Sequence, residues 1–288
     1  MKAEALENKT VMQNLSNQSM AKGITGILTK RKRFGKVLSQ IYTGLIYLFL
    51  YLPIGVIVVF SFNTSKTNIV FEGFTTQWYG KLLQNEPLLE AYGNTLLVGA
   101  ASTLIATIIG TLASYGMSKY KFKGKGIIDA LLYIPVVIPE IILGISLLGI
   151  FNIANVPMGI FSLIIAHATF SIPFVVFTVN ARFAGFDRSI EEAAMDLGAG
   201  RLKTFLTVTL PVILPGVISG AFLAFTLSVD DIIISFFTTG PGSNTFPLKI
   251  MELTKTGVTP DVYALTTIVL IVTIVVVVVS QRDRTKKA

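Results

Sequence analysis

Six stretches read as nearly continuous apolar runs, roughly 41–62, 94–116, 127–150, 159–180, 211–237 and 262–281. A helix crossing a bilayer needs about 20 mostly apolar residues, so each run predicts one transmembrane helix. The strands of a membrane β-barrel would instead show short segments alternating between apolar and polar residues. The fold class expected is therefore an all-α membrane protein. Its six-helix domain spans 41–281, between a basic N-terminal tail (1–40) and a short C-terminal tail (282–288). No short apolar core followed by a small-residue cleavage site marks a signal peptide at the start.

Lysine and arginine set the orientation. With the N-terminus inside, only Lys66, Lys81, Lys249 and Lys255 fall in outside loops, and the other 20 of the 24 fall inside. That bias places both termini in the cytoplasm. The net charge of +8 raises the possibility of nucleic acid. The basic residues, however, are spread over four juxtamembrane segments and do not form one face interleaved with aromatics, so lipid headgroups are their expected neighbours.

Composition agrees with the pattern of runs. Hydrophobic residues make up 52% and charged residues 14%, against about 25% charged in soluble domains. The chain has no cysteine and one histidine, His167. Thiolate chemistry is excluded, and a histidine triad or metal site would have to be built on that one residue. Neither catalytic residues nor a bound cofactor or metal is expected.

The cytoplasmic loop at about 181–211 carries EEAAMDLGAG, residues 191–200. Ser189 followed by Glu192 reads as a capping box, and Gly198 suits the left-handed residue that ends a helix. Ile190, Ala193, Ala194 and Leu197 lie on one narrow face of small residues. Glu191, Glu192 and Asp196 edge that face and are read as groups for pairing with a basic partner. The pattern describes a docking helix, followed by a second helix from near Arg201 toward Pro211. A helix lying on the bilayer surface is the alternative, but it would carry larger apolar residues and basic flanks.

Glu192-Ala193-Ala194, Gly198, Val208 and Leu210-Pro211 have the spacing of the EAA loop in permease subunits of ABC importers, and the chain resembles that family. Val208 stands where isoleucine is commoner. The resemblance implies a type I importer permease whose EAA helix docks on a separate ATPase subunit, with Glu191, Glu192, Ala193, Ala194, Asp196, Gly198, Leu210 and Pro211 forming the coupling segment. The run S-x-D-D-x-x-x-S-x-F-x-x-G-P from Ser228, with P-L-K-I and G-V-x-P-x-V-x-A after it, narrows the resemblance to C-type permeases of spermidine/putrescine importers. Permeases for ferric iron, thiamine or phosphonate remain alternatives. The implied partners are a homologous (PotB-like) permease, two (PotA-like) ATPase subunits that use ATP and Mg, and an extracytoplasmic (PotD-like) binding protein, all in a bacterial inner membrane. The chain contains no G-x-x-x-x-G-K-[ST] phosphate loop.

Three acids fall well inside the apolar runs, Glu140 in the third and Asp230 and Asp231 in the fifth. A charge at mid-bilayer costs about 2.5–3.5 kcal/mol on insertion scales and marks a functional candidate. A cationic polyamine would suit these acids, with Tyr133 and Phe236 beside them. Packing is the competing role for Phe236 and Phe237, and capping of a broken helix for one aspartate. His167 reads as a hydrogen-bonded packing residue or as a gate. Trp78 and Tyr79 read as an interfacial anchor or a contact for the binding protein. A secondary transporter using the acids as coupling-ion sites is the alternative from another class, but no inverted repeat is apparent. Adjacent aspartates without a metal cluster argue against an intramembrane enzyme.

Overall fold

Pro139 divides what the sequence reads as one third span. The computed structural model describes residues 36, 38–66 and 70–285, with the side chains of 256 and 276–285 left aside. The basic run at 30–33, most of the expected tail 1–40, and Lys286 and Lys287 lie outside the described residues. Helices dominate. Among the described residues there is no strand, only an isolated bridge between Asn63 and Phe74.

Two units separate at Phe60 and Ser61. The first is helix α1, Leu38–Phe60, with mean hydropathy 2.3 and apolar side chains exposed on all sides. Such a helix belongs in lipid.

The second unit begins with a folded loop. Asn63 Nδ2 donates to Val70 O at 2.7 Å, and its Oδ1 accepts from Glu72 N at 2.9 Å. Trp78, in α2 (Gln77–Leu82), is buried and donates from Nε1 to Asn63 O at 2.6 Å. Trp78 is therefore not the surface anchor that sequence reading suggested, because a hydrogen-bond partner inside the loop takes its indole. Tyr79 is tied to Ser61 at 2.9 Å.

Helix α3, Glu86–Lys119, has 34 residues, about 51 Å at 1.5 Å per residue. It begins eight residues earlier than its apolar run, where Asn85 caps it by accepting from Leu88 N. Helices α4 (Lys125–Val137) and α5 (Glu140–Ile153) meet at a bend of 112°. Pro139 offers no N–H and forces Ile138 into the extended region. Helix α6, Ile160–Phe183, absorbs Pro173 without stopping.

The short helix α7, Ser189–Asp196, leads to α8, Arg201–Thr204. A π-helical turn at Phe205–Thr209 then joins α8 to α9, Leu210–Val229. The second helix, expected from near Arg201 toward Pro211, continues through Pro211 into α9. The ring of Pro211 would strike the carbonyl four residues earlier, and a widened π turn makes room for it. The helix ends instead at Val229, so the run 211–237 is not one span. Helices α10 (Ile233–Thr238), α11 (Phe246–Thr256) and α12 (Pro260–Thr285) complete the chain.

Four helices are long and apolar enough to cross a membrane, and the bent α4–α5 pair makes up to a fifth, among the described residues. Helices α3, α6 and α9 form the core around Ala106, Val175, Val179, Ile213 and Ala224. Small residues bring them together, as in other membrane bundles. A Cβ on Gly110 would lie 2.8 Å from Val175, and one on Gly220 would lie 3.3 Å from it.

Candidate functional site

Two regions collect the chemistry, at opposite ends of α9. At its N-terminal end lies α7. Arg188 takes the N-cap position without capping the helix through its side chain, and Asp187 Oδ1 accepts from Ser189 N at 2.9 Å. The bonds from Ser189 hold the Asp187 carboxyl below its ordinary pKa. The Ser189–Glu192 capping box is therefore not what starts the helix, since an aspartate two residues upstream does that work.

Gly198 ends α7 at φ +87°, as expected. Its N–H reaches Met195 O at 2.9 Å, and Ala199 N reaches Ala194 O at 3.1 Å. These two bonds form the Schellman pattern.

The narrow apolar face is open. Ala193 and Ile190 are exposed, and Leu197 is 91% exposed. Glu192 and Asp196 flank it in solvent. Glu191 does not. It is 5% exposed and turned inward, where it pairs with Lys119 Nζ at 2.8 Å and accepts from the Thr209 hydroxyl. The expectation that Glu191 offers its charge to a partner is corrected, because its charge is already neutralised within the chain. Leu210 packs against the α3/α6/α9 core, and Pro211 lies on the surface of α9. Leu210 thus ties the segment to the bundle, and neither residue lies on α7 itself.

At the other end of α9 the helix breaks between the two aspartates. Asp230 is the exposed C-cap of α9. Asp231 is buried and accepts from Ile234 N at 3.2 Å and Ser235 N at 2.7 Å, starting α10. Glu140 is the first residue of α5, exposed and within electrostatic reach of both aspartates. The three acids thus gather at helix ends. The fifth apolar run is therefore not one continuous helix through both aspartates. Among the described residues, neither Glu140 nor Asp230 has an ion-pair partner.

Phe236 is exposed beside the acids and lines an open cavity of about 310 Å³ with Ile141, Ile232 and Phe237. Phe237 turns onto Gly144, where it packs. Tyr133 stacks on Phe177 with ring centres 4.6 Å apart. The bend between α4 and α5 falls between Tyr133 and Glu140, which lie on different helices.

His167 is a buried cross-brace. Its Nδ1 meets Ser228 Oγ at 2.7 Å, its Nε2 meets Ser235 Oγ at 3.1 Å, and Asp231 Oδ2 lies 3.5 Å from Nε2. Ser102 extends the network to α3 through Ser228 at 3.2 Å. Sequence reading missed Lys119 and Thr209, partners from distant segments with no local signature, and gave no role to Ser228 and Ser235, the two serines of the S-x-D-D-x-x-x-S run.

The comparisons with known proteins agree on one family. The model for the binding-protein-dependent transport system inner membrane component matches residues 106–282. The spermidine/putrescine transport system permease protein PotC of Escherichia coli strain K12 is 42% identical over 255 residues, covering 88% of this chain and 97% of that one. The putrescine transport system permease protein PotI of the same strain is 40% identical over 231 residues, covering 78% and 82%. Among solved structures, a bacterial ABC transporter involved in alginate import aligns with TM-score 0.70 at 17% identity, covering 87% of this chain and 96% of that chain. The MetNI methionine ABC transporter aligns with TM-score 0.54 at 20% identity, covering 73% and 97%. Identities this low show the shared fold alone.

Proposed function

The chain belongs to the family of binding-protein-dependent transport system inner membrane components, and on that premise we propose that it is a permease subunit of an ABC importer for polyamines. It is a multi-pass protein of the inner membrane. The observation that carries the substrate class is its similarity over nearly its whole length to a spermidine/putrescine permease. The acids gathered at the α5, α9 and α10 ends suit a polycation.

In this reading the chain crosses the membrane six times, with α12 as the last crossing and both termini in the cytoplasm. The permease domain covers 41–281. The chain forms half of the pathway beside a homologous permease, and a binding protein delivers substrate from outside. Glu140 and Asp230 receive the ammonium groups, with Phe236 offering a ring face. Asp231 holds α10 in place for them.

The open face of α7, with Ala193, Ala194, Leu197, Glu192 and Asp196, docks on one of two ATPase subunits. Those subunits bind ATP and Mg, and this chain has no ATP site of its own. When the ATPases close, α7 moves and the bundle changes the side to which it opens. The fused helix α8–α9 favours this reading, because it connects the docking region to Asp230 without a break other than the π turn.

The test is uptake by cells lacking their own polyamine transport, supplied with this chain and its genomic neighbours. Labelled spermidine or putrescine should accumulate, and unlabelled polyamine should compete where ferric iron, thiamine and phosphonate do not. Accumulation blocked by one of those three would assign another substrate.

A further inference from the structure

Helix α7 is joined to α8 by Leu197, Gly198, Ala199 and Gly200. A Cβ at either glycine would meet nothing within 4 Å, so neither glycine packs against a neighbour and the turn is held by its two backbone bonds. A push on α7 would be absorbed there unless something else held the helix.

Glu191 supplies that hold. Its Oε2 pairs with Lys119 Nζ at 2.8 Å, in the last turn of α3. Its Oε1 accepts from Thr209, which is fully buried in the π turn at the root of α9. Lys119 is itself fixed by Tyr115, whose hydroxyl accepts at 2.6 Å. The Tyr115 ring packs on Phe205 of the same π turn at 4.6 Å. Arg188, at the start of α7, adds a bond to Ser118 O. The charges suit their places, a carboxylate in the first turn of one helix and an ammonium in the last turn of another.

We propose that Glu191 is a positioning residue that makes α7 a lever: one carboxylate clamps the helix to the end of α3 and to the π turn of α9, so motion of α7 reaches two membrane helices and is not lost in the glycine turn. This inference rests on the docking role proposed above for α7.

The test uses the assembled transporter in proteoliposomes, measuring ATPase retention and polyamine imported per ATP hydrolysed. Glu191→Gln keeps the volume and a bond to Thr209 but loses the ion pair. The ATPase should stay bound, and import per ATP should fall by about tenfold, within the usual range of coupling effects. Lys119→Glu should fall similarly, and Lys119→Glu with Glu191→Lys should recover much of the loss. Thr209→Val, which keeps the ion pair, should give a smaller loss and serves if Glu191→Gln does not assemble.

A wild-type ratio in Glu191→Gln, or in Thr209→Val where that variant stands in, would overturn the lever. So would an exchanged pair no better than Lys119→Glu, or loss of the ATPase from Glu191→Gln, which would make Glu191 part of the dock. The docking reading has its own control. Leu197→Arg on the open face should release the ATPase. Full retention and coupling in that variant would sink the dock itself, whatever Glu191 does.

Discussion

Replacing Glu140 and Asp230 together by Gln and Asn should nearly abolish polyamine uptake while leaving a folded, assembled transporter. Each amide removes one charge-assisted contact with the substrate, worth about 1.5–3 kcal/mol, or about 10- to 100-fold in affinity. Both side chains are exposed and lack an ion-pair partner among the described residues, so the bundle should not register their loss. Asp231→Ala should behave differently. Its carboxylate is buried, caps α10 with two backbone bonds and faces His167. Removing such a cap costs about 0.5–2 kcal/mol, to be read as a lower melting temperature in detergent. Uptake kinetics and thermal unfolding of the two variants separate the roles. Normal uptake in the double amide would remove the acids from the substrate path.

Gly198→Pro should break coupling at least as thoroughly. The residue sits at φ +87°, and proline is fixed near −65°. The substitution also deletes the N–H that reaches Met195 O. The turn must rearrange, and the exposed face of α7 turns away from the position that docking requires. Gly198→Ala forces only a left-handed alanine, costing about 1–2 kcal/mol, and should be partly active. Both proteins should insert normally, since the turn lies outside the α3/α6/α9 core. Uptake and ATPase co-purification test the pair, and wild-type coupling in Gly198→Pro would contradict the docking helix.

The long apolar helices α1, α3, α6 and α9 were legible because about 20 apolar residues in a row admit few structures. The bend at Pro139 was half-legible, since proline announces a break but not its angle. The break after Val229 was legible only as an alternative, in which one aspartate caps a broken helix, and Asp231 bears that alternative out. Apolar Ile232, Ile233 and Ile234 follow the aspartates and continue the run, and only the cap bonds of Asp231 reveal that a new helix starts there. The π turn was silent, because helical periodicity passes through it.

At α7, the glycine that ends the helix and its apolar face could be read directly. Which of two adjacent glutamates turns inward could not. Glu191 and Glu192 are chemically identical, and the choice is made by Lys119 and Thr209, which are distant in sequence. The capping box failed because Asp187 competes for the same backbone donor and wins it. Trp78 went inward for a related reason, as the partner for its indole lies in a loop whose folding has no periodic signal.

The most direct measurement is ATP-dependent uptake of labelled spermidine into proteoliposomes holding this chain with its genomic neighbours, with putrescine, ferric iron and thiamine as competitors. The account predicts uptake that requires ATP, that putrescine reduces and that the other two leave unchanged. Uptake indifferent to ATP would contradict it and point to an ion-coupled carrier.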